Sequence, residues 1–272
     1  MLTMSNFKCA VVCIARLEGH YIQEWVNHYL QLGFDKCIIA DNNHDGDGED
    51  LGLMFKDNPN VIVEDCRGRE NYQKQAYKEL YSKYKDEFDW LLYCDVDEFL
   101  VLKDASIQDF IARFPRDCQV ILSNWCTMGD NNQIYADYSK PLMERFTEKR
   151  PMARSQYDFV DDFHVKSMVK GGLEEPLIWL TPHVPANNLV CYHTNGTRCS
   201  NSPFQPIDHS VAYFKHFTTK SLQEYCENKL RKGVGDRSYS LFLQTYANRY
   251  FLINEKTQEK VEWLKSNGYN FV

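Results

Sequence analysis

The first hundred residues alternate between short apolar runs and amphipathic segments, and this alternation restricts the fold more than any other feature of the chain. The apolar runs cover residues 9–15, 36–41, 61–65 and 90–95, and the segments with apolar side chains at helical spacing cover residues 21–30 and 72–84. Strands that alternate with helices are typical of parallel β-α-β units. The sequence therefore predicts an α/β fold with a parallel sheet.

Three of the predicted strands end in an aspartate, at Asp41, Asp65 and Asp95. Ligands of open parallel sheets bind beyond the carboxyl ends of the strands. We therefore expect these three acidic residues to lie along one crevice.

The last of these strands is followed by a second acid, so that Asp95 and Asp97 form an Asp-x-Asp pair. Two carboxylates at the end of a buried strand repel each other and lose hydration unless a cation neutralises them. A divalent ion that also binds a substrate diphosphate is one solution. The alternative is that both side chains cap the next helix or face water.

The composition excludes several classes of protein. The chain has 272 residues, 43% hydrophobic content and a net charge of -7, which argues against a general nucleic-acid binder. Its ten cysteines include no Cys-x-x-Cys pair, so we expect reduced thiols and a cytoplasmic protein. No apolar run approaches the length of about 20 residues that spans a membrane.

The second half of the chain has a less regular pattern. We predict a helix over residues 106–114 with Ser106 as its cap, a strand over 119–123, and helices from Lys220 onward. Residues 124–216 are rich in Asn, Asp, Pro, Gly and His, which predicts long ordered loops around a site.

Two other motif interpretations fit less well. The acidic turn that begins at Asp41 resembles an EF-hand loop, but Gly52 stands where that loop needs a bidentate glutamate. Asp41 is better interpreted as an acceptor for a uracil imide or for ribose hydroxyls. The Asp-x-Asp pair also resembles the first motif of haloacid-dehalogenase phosphatases, but here it follows the fourth predicted strand and precedes Glu98.

Histidine and lysine residues late in the chain complete the set of candidates. His216 follows an apolar segment and offers a nitrogen ligand, and a mixed oxygen and nitrogen shell suits Mn²⁺. Lys215 and Lys220 are nearby in sequence and carry the charge that phosphates require. The short basic patch over residues 229–232 is compatible with peripheral membrane contact.

With these residues together, the chain resembles glycosyltransferases of the GT-A fold, in particular the family-2-like and family-92 groups, the latter formerly domain of unknown function 23. The resemblance follows ordered motifs in residues 14–18, 24–29, 32–35, 41–43, 73–77, 90–99, 166–169, 216–221 and 229–233. Leu17 replaces the usual Asn of the first motif, and residues 125–131 follow the Trp-x-x-Phe-Gly-Ser pattern only loosely.

The resemblance implies a nucleotide-diphospho-sugar transferase with a Rossmann-like sheet, helices on both faces and a helical C-terminal segment. It implies a nucleotide-sugar-binding half in residues 1–105, an acceptor and metal half in 106–218 and a helical segment in 219–272. The implied activity is inverting transfer of a hexose, galactose or glucose, from a UDP-sugar to a glycan or glycolipid of a bacterial surface polysaccharide or lipooligosaccharide. The enzyme would then lie in the cytoplasm, at the inner face of the membrane.

The resemblance also assigns roles to residues. The implied donor-binding residues are Ala15, Arg16, Glu18, Asp41, Lys74, Asp95, Lys215 and Lys220. The implied ligands of Mn²⁺ or Mg²⁺ are Asp95, Asp97 and His216. The candidate general bases are Asp130, which we favour because it follows the strand expected beside the metal, and Asp161, Asp162 and Glu174. The alternatives are a non-catalytic sugar- or nucleotide-binding protein and a metal-dependent phosphatase.

Overall fold

The structure is a computed structural model that describes residues 7–103, 106–150, 161–174, 176–230 and 249–269. The strands are β1 (Cys9–Ala15), β2 (Lys36–Asp41), β3 (Val61–Asp65), β4 (Trp90–Tyr93), β5 (Glu98–Leu102), β6 (Val120–Thr127), β7 (Val165–Lys170), β8 (Cys191–His193), β9 (Arg198–Cys199) and β10 (Ala212–His216). The helices are α1 (Ile22–Gln31), α2 (Leu51–Met54), α3 (Gln73–Tyr84), α4 (Ile107–Ile111), α5 (Leu142–Arg145), α6 (Leu222–Glu224) and α7 (Gln258–Ser266), with a π-helical turn at Tyr225–Leu230.

The ten strands form one mixed sheet in which β3, β2, β1 and β4 are parallel neighbours. Strand β7 lies antiparallel between β4 and β6, and β10 and β5 follow along the sheet. The short strands β8 and β9 extend from β6. The predicted α/β class with a parallel, Rossmann-like half is therefore confirmed.

Helices cover both faces of the parallel half. On one face, Val12 of β1 and Ile38 of β2 are in register and pack with Tyr77 and Leu80 of α3 in one buried cluster. On the other face, the Sγ atom of Cys37 lies 3.8 Å from the carbonyl oxygen of Val26 in α1. Side chains alternate between the two faces of a strand, so consecutive residues of β2 contact different helices.

The chain forms two compact units. The first comprises Met1–Cys126 and Asp161–Lys215, and the second comprises Thr127–Val160 and His216–Val272. The second unit has its own apolar cluster around Leu222, Tyr250 and Leu264, with Arg145 and Glu224 joined by two hydrogen bonds of 2.8 Å. The expected division into a nucleotide-sugar-binding half at 1–105, an acceptor and metal half at 106–218 and a helical segment at 219–272 stays a prediction.

The structure corrects the predicted secondary structure of the second half. The described residues of 124–216 are for the most part loops, as predicted, but they also contain the end of β6, the short helix α5 and all of β7 to β10, which were not predicted. These strands were missed because they are short and carry polar residues within the apolar pattern, as in β7. The cap of α4 is confirmed, because the Ser106 hydroxyl accepts a hydrogen bond from the Asp109 amide, but the helix ends at Ile111.

The C-terminal part is helical where it is described, in α6, in the π-helical turn, in residues 249–253 and in α7. Residues 231–248, which include part of the basic patch at 229–232, lie outside the described residues. Within the described residues, no helix has the length and apolarity needed to cross a membrane. The ten cysteines are all free, which agrees with the expectation of reduced thiols.

Candidate functional site

The carboxyl ends of the parallel strands bring the predicted acids to one edge of the sheet. The Cα atoms of Asp41 and Asp65 are partners in the ladder between β2 and β3. Asp95 follows β4, whose last residue, Tyr93, is in register with Val12 of β1. These three acids therefore lie at one edge of the sheet, and the expectation that they share one crevice stays a prediction.

Asp95 is held by two side chains from distant parts of the first unit. Its Oδ1 atom accepts a hydrogen bond of 2.6 Å from Gln73 at the start of α3. Its Oδ2 atom lies 2.7 Å from the Nζ atom of Lys166 in β7. The side chain of Lys166 is fully buried, whereas that of Asp95 is 36% exposed, so the carboxylate still reaches solvent.

Glu98 completes this buried cluster. Its Oε2 atom accepts a hydrogen bond of 2.9 Å from the Asp95 amide and lies 3.3 Å from the Nζ atom of Lys166. Burial raises the pKa of Glu98 well above its ordinary value, although the charge of Lys166 opposes this shift. Burial alone would lower the pKa of Lys166, but the charges of Asp95 and Glu98 outweigh it and raise that pKa. Lys166 is therefore a protonated ammonium, and Asp95 is its main charged partner.

Sequence reasoning missed the roles of Lys166 and Gln73 at this site. Lys166 belonged to one of the quoted motifs, and Gln73 opened another, but neither received a function. A lysine between Val165 and Ser167 in a strand that is otherwise buried was the available signal, because a buried lysine needs a charged partner. The identity of that partner depends on β7 lying beside β4.

Asp97 is the carboxylate of the pair that best fits a divalent ion. It is partly exposed, and a ligand oxygen of Asp97 lies within 4.8 Å of one from Glu98. Hard cations such as Mg²⁺ and Mn²⁺ are bound by such oxygens. Each oxygen of Asp95 accepts a hydrogen bond from a protein side chain. His216 belongs to the second unit, and its role as a ligand stays a prediction.

Asp41 stabilises the turn that follows β2. It is buried, and its Oδ1 atom accepts hydrogen bonds from the amide and the side chain of Asn43, at 3.0 and 2.8 Å. Its Oδ2 atom accepts a hydrogen bond of 3.3 Å from the Leu51 amide at the start of α2. A role of Asp41 toward a donor stays a prediction, because both oxygens already hold the loop together.

The other predicted donor-binding residues of this edge are close to the ends of β1 and α3. Ala15 is the buried last residue of β1, and Arg16 after it forms an ion pair of 2.9 Å with Asp47. Glu18 is partly buried and precedes α1, and Lys74 is exposed in the first turn of α3. Their positions fit a ligand at this edge, and their individual roles stay predictions.

The two predicted phosphate-binding lysines belong to different units. Lys215 is half-buried in β10. Burial lowers the pKa of His28 in α1, and the charge of Lys215 contributes to this shift, so Lys215 lies near α1. Lys220 belongs to the second unit and has a φ of 56°. Their role toward a diphosphate stays a prediction.

The structure argues against Asp130 as a general base. Its Oδ2 atom lies 2.5 Å from the Nζ atom of Lys260 and accepts a hydrogen bond of 2.5 Å from the Tyr250 hydroxyl. Its Oδ1 atom accepts a hydrogen bond of 2.9 Å from the Asn132 amide. A buried carboxylate whose charge is compensated in this way helps to hold the second unit together, which counts against Asp130 as the base, and its catalytic role stays a prediction.

The structure also separates Glu174 from the acidic edge. In the ladder between β4 and β7, Tyr93 is in register with Ser167 and Trp90 with Lys170. Glu174 follows Lys170 and therefore lies toward the amino-terminal end of β4, opposite Asp95. Asp161 and Asp162 precede β7 and lie toward the edge that carries Asp95. They are the remaining candidate bases.

A cluster of aromatic side chains, Trp125, His164 and His183, lies near Lys166. The ring of Trp125 stacks on His164, with centroids 4.9 Å apart, and the Nζ atom of Lys166 lies 5.9 Å from the Trp125 ring. Trp125 is only 6% exposed, so its ring belongs to the core. His183 contacts both rings, and burial together with the charge of Lys166 lowers its pKa to about 3.

No protein-family model matches the chain, and no curated protein matches it. Among solved structures, residues 1–349 of TarS from S. aureus share 14% identity, with 96% of this chain and 79% of that chain covered and a TM-score of 0.41. A longer TarS structure shares 13% identity over 96% of this chain and 48% of that chain, with a TM-score of 0.39. A mycobacterial protein shares 14% identity over 45% of this chain and 42% of that chain, with a TM-score of 0.31.

This chain therefore spans less than half the length of two of these structures. The TM-scores are all below 0.5, so the case for a function comes from the site residues.

Proposed function

We propose that this chain is a metal-dependent, inverting glycosyltransferase that moves a hexose, galactose or glucose, from a UDP-sugar to a glycan acceptor. The observation that carries the proposal is the cluster of Asp95, Asp97 and Glu98 directly after β4. This cluster lies at the carboxyl edge of a parallel sheet, where nucleotides are commonly bound. Carboxylates at that edge suit a cation and the diphosphate that it neutralises.

The proposal assigns separate tasks to the acidic residues. Asp97 holds Mn²⁺ or Mg²⁺, with His216 as a nitrogen ligand, and Asp95 is oriented by Gln73 and Lys166 toward the ribose and diphosphate. The ion, when bound, stabilises the negative charge that develops on the leaving diphosphate. Asp41 and the residues after β1, with Lys74, Lys215 and Lys220, contact the rest of the donor.

A general base is needed to remove the proton from the acceptor hydroxyl. Asp161 or Asp162 takes this role in the proposal, because both precede β7 on the side of the sheet that carries Asp95. The acceptor is a glycan or glycolipid of a bacterial surface polysaccharide or lipooligosaccharide, and the reaction takes place in the cytoplasm at the inner face of the membrane. The resemblance described above supports this part.

A donor screen tests the proposal. The purified protein is incubated with UDP-, GDP- and CMP-sugars, with Mn²⁺ or with chelator, and nucleotide release is measured. Metal-dependent release of UDP from one sugar is the expected result. Binding of a UDP-sugar without release in the presence of varied glycan acceptors would instead indicate a non-catalytic binding protein. Release of phosphate from simple esters would indicate a phosphatase.

A further inference from the structure

Lys166 occupies an unusual position for a lysine, in the middle of the sheet and without solvent contact. It lies in β7, which is hydrogen-bonded to β4 on one side and β6 on the other. None of its side chain is exposed, and its Nζ atom lies 2.7 Å from Oδ2 of Asp95 and 3.3 Å from Oε2 of Glu98. Burying an ammonium group costs free energy unless an opposite charge lies beside it. Lys166 therefore depends on its ion pair with Asp95.

The Oδ2 atom that faces Lys166 belongs to the first acid of the Asp-x-Asp pair. An ammonium at that distance competes with any other cation for the same oxygen, and it adds one positive charge beside the site. Gln73 occupies the other oxygen at 2.6 Å. Asp97, two residues later, lies outside these two contacts, and its side chain is partly exposed.

We propose that Lys166 is a resident counter-ion of Asp95, which weakens binding of a divalent ion to the protein alone and makes ion binding depend on the nucleotide diphosphate. This inference rests on the proposed function. The negative charge of the diphosphate offsets that of the ammonium, so the ion and the nucleotide should bind together. Lys166 is thus a positioning residue for Asp95, and Asp97 is the carboxylate of the pair that binds the ion.

Manganese binding is the direct test, because free Mn²⁺ can be measured by electron paramagnetic resonance without any turnover. Wild-type protein, Lys166→Met and Lys170→Met are titrated with Mn²⁺, with and without UDP. Lys170 is the matched control, since it lies in the same strand but contacts the Arg116 carbonyl oxygen at 3.0 Å. In the wild type, UDP should tighten Mn²⁺ binding about tenfold or more.

The Lys166→Met variant should bind Mn²⁺ about tenfold more tightly without UDP, because one positive charge has been removed a few ångströms from the site. UDP should then add little to its Mn²⁺ affinity. Lys170→Met should behave as the wild type. An unchanged Mn²⁺ affinity and an unchanged effect of UDP in Lys166→Met would overturn the counter-ion role while leaving the proposed function intact.

A second variant keeps the test decisive if Lys166→Met does not fold, which circular dichroism would reveal. Lys166→Gln, which also removes the positive charge but can still donate a hydrogen bond to Asp95, should then bind Mn²⁺ about tenfold more tightly than the wild type without UDP. An Mn²⁺ affinity equal to that of the wild type in this variant would overturn the proposal. Absence of UDP-dependent Mn²⁺ binding in the wild type would contradict the proposed function as well.

Discussion

The Nζ atom of Lys166 lies 2.7 Å from the Oδ2 atom of Asp95, and the lysine side chain is fully buried while the aspartate side chain is 36% exposed. The two members of the Asp-x-Asp pair therefore have different surroundings. Asp95 is fixed by Lys166 and Gln73, and Asp97 is partly exposed beside the buried Glu98. Under the proposed function, the pairing of Asp95 with Lys166 leads us to assign the ion to Asp97, whose ligand oxygen lies within 4.8 Å of one from Glu98.

Replacing Asp97 by Asn should lower metal-dependent UDP release by about 100-fold or more, because a neutral amide stabilises the ion and the leaving diphosphate far less. UDP release with saturating Mn²⁺ is the measurement. Asp86→Asn is the matched control, since the Asp86 side chain is 78% exposed in the turn after α3. Activity of Asp97→Asn close to that of the control would contradict the assignment of the metal site.

One of the variants Asp161→Asn and Asp162→Asn should lower kcat by about 100-fold, as expected for loss of a general base. Glu174→Gln should keep the activity of the wild type, because Glu174 follows the opposite end of β7. Steady-state rates with saturating donor and acceptor are the measurement. A strong effect of Glu174→Gln, with normal rates for both aspartate variants, would exclude the assignment.

Asp130→Asn should act on stability rather than on catalysis. The change leaves the buried ammonium of Lys260 without its carboxylate, which typically costs about 3 kcal/mol. Urea unfolding followed by circular dichroism measures this loss. Asp137→Asn, at an exposed ion pair of 3.9 Å with Lys140, should leave the urea midpoint unchanged. A stable Asp130→Asn variant with greatly reduced kcat would restore Asp130 as a candidate base.

Gly171→Ala should destabilise the first unit, because a Cβ atom at that position would lie 1.9 Å from the carbonyl oxygen of Phe88 and 2.6 Å from that of Lys85. Overpacking against backbone of this kind costs about 3 kcal/mol. Gly172→Ala is the control, since its Cβ has open space and only the φ of 67° adds strain, about 1 kcal/mol. In thermal unfolding, the midpoint temperature of Gly171→Ala should be clearly lower than that of Gly172→Ala. Equal midpoints would show that the carbonyl oxygens of Phe88 and Lys85 do not lie this close to Gly171.

His183 should make the fold less stable in acid. Its imidazole binds a proton at about pH 3 in the folded protein, because of burial and Lys166, against an ordinary pKa of 6.5 in the unfolded chain. Between these values the unfolded state binds more protons, so the free energy of unfolding falls as the pH is lowered below 6.5.

The His183→Asn variant should therefore lose less stability than the wild type between pH 7 and pH 5, by up to about 2 kcal/mol. Urea unfolding at both pH values is the measurement. His20→Asn, at an exposed position, should show the same pH dependence as the wild type. Equal pH dependence in His183→Asn and the wild type would show that His183 binds its proton over the same pH range in the folded and unfolded states, so that its pKa is not lowered by folding.

Much of the first half was predictable because its signals are local. The bounds of β1, β2 and β3 agree with the predicted runs, since each is a continuous apolar stretch that ends in a polar turn. The positions of Asp41, Asp65 and Asp95 at one edge also follow from the alternation of strands and helices. In the second half the strands are shorter and their apolar pattern is interrupted, so β7 to β10 were not recognised.

The sequence by itself determined the α/β class and the acidic edge of the sheet, because strand and helix periodicities arise from neighbouring residues. Only the tertiary structure decided which carboxylates are compensated. Lys166 and Asp95 are 71 residues apart in the sequence, and they are in contact because β7 lies beside β4 in the sheet. Lys260 and Asp130 are in contact because of the packing within the second unit. The sequence shows where a carboxylate is, but it does not show which charged side chain lies beside it, because that depends on the register and packing of distant segments. That neighbouring charge determines whether the carboxylate binds an ion, accepts a proton or stabilises the fold.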